Sequence, residues 1–171
     1  MKRTEKGQAA IEMALILPFL LWIIINVVNF GALFYACITI SNAVRAGADF
    51  MSMMGASPMM GMHYETVGGN IALVPITGSD VATHVKADIA NLPNASAATV
   101  LVCSNNNGHV QKPLDACLAT VTDPQINTSV VGQVTVQYTY KPLLPFVDFM
   151  GYPLTLKEMQ IARTATTRLI Q

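Results

Sequence analysis

The chain has 171 residues, enough for one domain plus an anchor. Its ten Lys and Arg balance its ten Asp and Glu, and this zero net charge argues against a nucleic-acid partner. Charged residues make up 12% of the chain, about half the share of a soluble globular protein, while hydrophobic residues make up 52%.

The apolar residues are concentrated near the N-terminus. No charged residue lies between Met13 and Val44. This run exceeds the ~20 residues that cross a bilayer as a helix, and it is too long for the apolar region of a signal peptide, about 7–15 residues. A buried core helix is rarely apolar for so long. The run therefore predicts a membrane-spanning helix over about residues 11–36.

The basic residues around this run predict its orientation. Lys2, Arg3 and Lys6 precede it, and after it Arg45 is the one Lys or Arg before Lys86. By the positive-inside rule, the N-terminus lies in the cytoplasm and the chain after about residue 45 is exported.

Helical spacing of apolar residues continues beyond the membrane run. It predicts one long helix over residues 8–54, ending at Gly55. Pro18 removes a backbone hydrogen bond within it. Asn26 and Asn29 are polar positions in the apolar run, for which two interpretations stay open: a hydrogen bond to another helix, or a place near the membrane interface.

The exported part, residues 55–171, contains signals for both helix and strand. A small antiparallel sheet with one covering helix, an α+β domain, fits their order. A leader over residues 1–7 and the helix over 8–54 complete the division of the chain. The predicted exported elements are a loop over 55–79, a helix capped by Ser79 or Asp80 and ending near Leu92, strands over 98–104, 116–121, 130–140 and 154–170, and a Pro-rich loop over 141–153. For residues 154–170 a helix is the alternative.

Three cysteines are present. Cys37 lies in the predicted anchor helix, whereas Cys103 and Cys117 lie in the exported part, where disulfides are tolerated. A bridge between these two would close a loop of about 15 residues and stabilise the fold by roughly 3 kcal/mol. We expect this bridge; the alternative is two unpaired thiols.

The segment KGQAAIEMALILP, residues 6–18, has the features of a processing site at a membrane surface. Gly7 has no side chain, so its backbone can enter a tight protease site. Cleavage after Gly7 would create an α-amino group on Gln8, about one helical turn from Glu12. A carboxylate near an apolar helix is costly unless paired. Neutralising this amine, in its own chain or a neighbour, would explain Glu12; the alternative is a glutamate that reaches the headgroups without a partner.

These stretches resemble the TadE-like family, minor pilins or pseudopilins of the Tad (tight adherence) pilus and secretion machinery. The resemblance rests on Gly7, Glu12, the Leu17-Pro18 pair and the sequence NAVRAGA over residues 42–48, with Met13 where relatives often carry Tyr. It covers residues 6–54 well and 130–165 weakly.

The resemblance implies a subunit of the bacterial inner membrane that an aspartic prepilin peptidase cleaves after Gly7. The mature protein would join other pilins or Tad-complex subunits and act in pilus assembly and adhesion. Small residues such as Gly31 and Gly47 would allow close approach of neighbouring helices.

Signals for other functions are weaker. A cluster of methionines next to His63 has the thioethers that bind Cu(I), but methionine also fills irregular packing surfaces. Asp80 and His84 are four residues apart, as in a common surface pair. No metal or other cofactor is expected, and no enzyme motif occurs. The competing hypothesis is an uncleaved, signal-anchored periplasmic binding or accessory protein, handling metal through its methionines: Met51, Met53, Met54, Met59, Met60 and Met62.

Overall fold

The computed structural model describes residues 5–53, 62–67, 70–105, 130–144, 148–149 and 152–169. They fall into two compact units, which are treated separately: residues 1–36 with 140–159, and residues 37–139 with 160–171. The elements in chain order are α1 (Glu5–Ser52), β1 (Met62–Val67), β2 (Asn70–Pro75), α2 (Gly78–Asp88), a 3₁₀ turn (Ala95–Ala97), β3 (Thr99–Ser104), β4 (Val131–Tyr140), β5 (Asp148–Phe149), β6 (Tyr152–Pro153) and β7 (Met159–Arg168).

The long N-terminal helix is confirmed. α1 begins at Glu5 and ends at Ser52, within three residues of the predicted bounds, and Pro18 lies inside it. Among the described residues, Ala10–Ser52 is the one helical stretch long and apolar enough to cross a membrane, with a mean hydropathy of 2.4 in its most apolar window. No residue of that window is buried, as expected for side chains that face lipid rather than a protein core.

In the larger unit, the second part of α1 packs against α2 and a sheet. Gly47 of α1 is buried, and its backbone lies next to Val85 of α2 and Val134 of β4. One turn further on, the Met51 side chain packs against Gly132. The fully buried side chains of this unit include Ile40, Val44, Met51, Val81, Val85, Ile89, Val102, Val134 and Tyr138.

The short covering helix is confirmed, but its cap was predicted wrongly. The face predicted to be apolar is buried, including Val81 and Val85. The N-cap is Thr77 rather than Ser79 or Asp80. The carboxylate of Asp80 accepts hydrogen bonds from the Thr77 backbone N–H at 2.7 Å and from its hydroxyl at 2.6 Å. Asp80 is thus the acidic residue of a capping box, and the cap itself lies three residues earlier.

The three-stranded antiparallel sheet is confirmed, with β4 between β3 and β7. In β4, Val134, Val136 and Tyr138 point to the core, as the alternating pattern predicted. β7 begins at Met159 rather than at residue 154. The weaker strand predicted over 116–121 lies outside the described residues. Helix and sheet together confirm the α+β class.

The prediction of a loop over residues 55–79 was wrong. β1 and β2 form an antiparallel hairpin, with Met62 opposite Pro75 and Val67 opposite Asn70. The sequence signal was the Gly-Gly pair between HYETV and NIALVP, because two-residue hairpin loops favour such pairs. The Met, Gly and Pro residues around these two strands favoured the loop interpretation instead.

The smaller unit combines the first part of α1 with residues 140–159. The Pro-rich stretch predicted as a loop contains two strands of two residues each, β5 and β6, which pair antiparallel with Phe149 opposite Tyr152. The described residues on either side of these strands, 141–144 and 154–158, have no regular secondary structure. Their backbone groups therefore depend on partners outside a helix or sheet for hydrogen bonds.

Candidate functional site

The three residues of the predicted processing site lie in the first turns of α1. Gly7 is exposed, and a Cβ there would meet no atom within 4 Å. Gln8 and Glu12 are four residues apart in the same helix, hence about one turn apart, and Glu12 is exposed. A new amine at Gln8 and the carboxylate of Glu12 are therefore at neighbouring positions on one helix face.

Beyond Glu12, α1 presents apolar side chains in every direction. All residues from 10 to 24 are exposed, so none of them lies in a core of the described part of the chain. Phe19 and Trp22 are neighbours, with ring centroids 5.6 Å apart. The large apolar side chains exposed there are Ile11, Met13, Leu15, Ile16, Leu17, Phe19, Leu20, Leu21, Trp22, Ile23 and Ile24.

Two polar side chains of α1 converge on one carbonyl of the smaller unit. The indole Nε1 of Trp22 donates to the Leu154 carbonyl oxygen at 2.7 Å. Asn26 Nδ2 donates to the same oxygen at 3.0 Å and to the Trp22 carbonyl at 2.9 Å. The Leu154 carbonyl thus has two donors, both from the same side of one helix.

Asn29 makes the next contact along the helix and is fully buried. Its Oδ1 accepts the Leu144 backbone N–H at 3.1 Å, and its carbonyl oxygen accepts the Tyr140 hydroxyl at 2.7 Å. Burial raises the pKa of the Tyr140 phenol, which keeps it protonated as a donor. Within the described chain, Asn29 Nδ2 has no partner.

The sequence interpretation left Asn26 and Asn29 between a neighbouring helix and the interface. In the structure Asn26 donates to Leu154 and Asn29 accepts from Leu144, both in their own chain. Trp22 was not singled out beforehand. It is the one tryptophan of the chain and lies inside the apolar run, a residue type that favours the membrane–water interface.

The two glycines predicted to allow helix packing differ. Gly31 is exposed, and a Cβ at this position would have no atom within 4 Å. A Cβ at Gly47, by contrast, would overlap Val85 Cγ2 and lie 3.5 Å from Val134 Cγ1. The space next to Gly47 is therefore filled by side chains of the same chain. Gly31 is the one of the pair that remains open to a neighbouring helix.

Several of the residues considered for metal binding have other contacts in the structure, whereas Met53 is exposed. Met51 is in the core, and the Asp80 carboxylate accepts hydrogen bonds from Thr77, the N-cap of α2. His84 Nδ1 lies 3.7 Å from Asp88 Oδ2, and its ring lies 5.2 Å from that of Phe50. Within the described ranges, no group of three His, Cys, Asp or Glu is placed to hold a metal ion. Met54, Met59 and Met60 lie outside those ranges, and the side chains of Met62 and His63 are not described.

The cysteines are described in part. Cys37 is a half-buried free thiol on α1, and Cys103 is buried in β3. Cys117 lies outside the described residues, so the Cys103–Cys117 bridge stays a prediction.

A comparison with known protein families finds a match within α1. Residues 7–49 match the model of the TadE-like protein family. The match begins at the predicted cleavage residue and ends three residues before the end of α1, and it confirms the TadE-like resemblance over this stretch. No curated protein and no solved structure matches the chain. The TadE-like helix suggests a pilin-like protein associated with a Tad pilus and a single-pass membrane anchor.

Proposed function

We propose that this chain is a minor pilin-like subunit of a Tad-type pilus or secretion apparatus, inserted in the bacterial inner membrane with its N-terminus in the cytoplasm. A prepilin peptidase cleaves it after Gly7, and the mature protein acts without catalysis in pilus assembly and adhesion. The observation that carries this proposal is the TadE-like match beginning at Gly7, on a helix that is apolar and exposed beyond it.

The position of Glu12 supports a role for cleavage in assembly. Removal of residues 1–7 leaves a positive amine on Gln8, one helical turn from the Glu12 carboxylate. Their attraction strengthens as the surroundings become less polar, and it offsets the cost of a carboxylate beside lipid. The same carboxylate also lies at the right level to meet the amine of a neighbouring subunit.

The exposed apolar surface of α1 supports a change of partner during assembly. Lipid covers residues 10–24 while the subunit is anchored, and helices of neighbouring subunits replace it in the pilus. Gly31 has open space where a side chain would be, so a neighbouring backbone can approach closely there.

The first experiment tests cleavage. Gly7→Leu places a bulky side chain at the scissile bond, and we expect it to abolish maturation in cells with an active prepilin peptidase. Intact-mass spectrometry of the wild type should show loss of residues 1–7. Gly31→Leu is the matched control, since it makes the same change in the same helix and should mature normally.

A wild-type protein with an intact N-terminus in such cells would overturn the cleavage proposal. It would favour the uncleaved accessory protein, for which Gly7→Leu would change nothing.

The second experiment separates maturation from assembly. Glu12→Gln removes the charge and keeps the shape, so we expect cleavage to proceed while recovery in sheared pilus fractions falls. Glu12→Asp keeps the charge and should retain part of the assembly. Equal recovery of wild type and Glu12→Gln would show that the charge pair does not drive assembly.

A further inference from the structure

We propose that residues 141–144, 148–149 and 152–154, here called the interfacial segment, insert into the outer surface of the bilayer that α1 crosses, with phospholipid as their partner. The first step is the length of α1. From Ala10 to Asn29 the helix rises about 30 Å, the thickness of the hydrocarbon core. A hydrocarbon core of this thickness that begins at Ala10, with the N-terminal basic residues on the cytoplasmic side, ends near Asn29, earlier than the end near residue 36 that the sequence predicts.

The hydrogen bonds give the depth of the interfacial segment. Its Leu144 N–H donates a hydrogen bond to the Asn29 side chain, and its Leu154 carbonyl accepts hydrogen bonds from Trp22 and Asn26. Trp22 is about 10 Å below Asn29 along the helix axis. This range corresponds to the 5–10 Å by which interfacial segments enter the boundary between headgroups and acyl chains.

The hydrogen-bond partners that α1 provides for the backbone of the interfacial segment indicate that this segment lies in lipid rather than in water. Irregular backbone at membrane depth persists only when protein groups satisfy its N–H and C=O groups. A carbonyl in water would need no protein donor, yet Leu154 receives two from a helix that is otherwise apolar at this level. Asn29 supplies the acceptor for the Leu144 N–H in the same way.

The composition of the segment fits the same location. Between Pro142 and Leu154, Asp148 is the one charged residue, and it is exposed. Leu143 is 56% exposed, although it is large and apolar. Lys141, at the start of the segment, is exposed and suited to anionic headgroups. An exposed leucine beside a lipid-covered helix continues the apolar surface of that helix.

Photo-crosslinking of the full chain tests the inference. A benzophenone amino acid replaces Leu143 in protein reconstituted into phosphatidylcholine–phosphatidylglycerol vesicles, and the adduct is identified by its mass. The same substitution at Leu15 is the positive control for lipid, and at the exposed Lys86 of α2 the negative control. We expect phospholipid adducts at position 143 in a yield close to that at Leu15 and several-fold above that at Lys86.

Two outcomes would overturn the inference. One is no lipid adduct at position 143 while Leu15 gives one, which means that the segment faces water. The other is an adduct to a second copy of the chain, which means that a neighbouring subunit covers the segment. Neither outcome bears on cleavage at Gly7, because the inference rests on the membrane anchor and the orientation proposed above, and not on cleavage.

A second variant tests the polar contacts. Trp22→Phe combined with Asn26→Leu removes both donors to the Leu154 carbonyl, and we expect the lipid yield at position 143 to fall several-fold while that at Leu15 is unchanged. Asn42→Leu, which changes an exposed asparagine of the same helix, should leave both yields unchanged. An unaltered yield in the double variant would refute the anchoring role of these donors.

Discussion

The first part of α1, residues 10–24, and its later part, residues 36–51, are both rich in apolar residues but use them differently. Every residue of the first part is exposed. In the later part, burial recurs every three or four residues, which marks a stripe facing a core. Hydropathy therefore identifies the helix as a whole, and the periodicity of the apolar positions separates the exposed part from the core-facing part. The buried apolar positions of the later part are Ala36, Ile40, Ala43, Val44, Ala48 and Met51.

The largest test of this difference removes a side chain from the core-facing stripe. Ile40 is fully buried, and Ile40→Ala should lower the free energy of unfolding by about 2–5 kcal/mol, since it leaves a cavity. Ile38 is 60% exposed on the same helix, and Ile38→Ala should change the free energy of unfolding by less than about 0.5 kcal/mol. Urea unfolding of the full chain in detergent micelles measures both, and equal losses would remove the distinction between the two faces.

The next test adds a side chain at each glycine. Gly47→Val forces a Cβ into the Val85 methyl group and should destabilise the chain by about 1–3 kcal/mol. Gly31→Val meets open space and should leave the unfolding midpoint nearly unchanged. If Gly31→Val reduces pilus incorporation without destabilising the chain, the exposed part of α1 packs on neighbours. Comparable destabilisation by both would contradict the packing described here.

A smaller effect is expected from the helix against which the later part of α1 packs. Asp80→Ala removes the acceptor for Thr77 at the start of α2 and should cost about 1 kcal/mol of unfolding free energy. Asp88→Ala is the control, because its partner His84 is half exposed and such surface pairs contribute about 0–1 kcal/mol. An Asp88 variant less stable than the Asp80 variant would argue against the cap.

The smallest effect concerns the contact of Tyr140 with Asn29. Tyr140→Phe removes one hydrogen bond, worth about 1 kcal/mol. Because burial raises the pKa of Tyr140 in the folded chain, its contribution is complete below the unfolded pKa of about 10 and is lost as the pH rises through the raised folded value. The wild type should lose stability over that alkaline range more steeply than Tyr140→Phe, as measured by urea midpoints at stepped pH. Parallel curves for the two proteins would contradict this role.

Local patterns in the sequence were enough for much of the fold. The uninterrupted apolar run predicted α1, helical spacing predicted the buried face of α2, and alternation predicted β4. The β1–β2 hairpin was within reach of the same reasoning through its Gly-Gly pair, but the surrounding composition was given more weight. The cap at Thr77 was missed because Ser79 or Asp80 was interpreted as the cap, whereas Asp80 is the partner of Thr77.

The polar contacts of α1 could not be predicted from the sequence, for a different reason. Trp22 and Leu154 are 132 positions apart, and Asn29 and Leu144 are 115 apart. No periodicity links residues at such separation, and one sequence gives no indication of which backbone groups in an irregular segment need a partner. The TadE-like motif gave Gly7 and Glu12, whereas the contacts of Trp22, Asn26 and Asn29 needed the structure.

The participation of α1 in the core determines where a soluble fragment of this protein can begin. A fragment starting at residue 55 would lack Ile40, Val44 and Met51, and the faces of Val85 and Val134 that pack on α1 would lie open to water. We expect such a fragment to aggregate. One that begins near Cys37, where the larger compact unit starts, keeps the residues of α1 that pack in the core of that unit and omits the exposed apolar stretch.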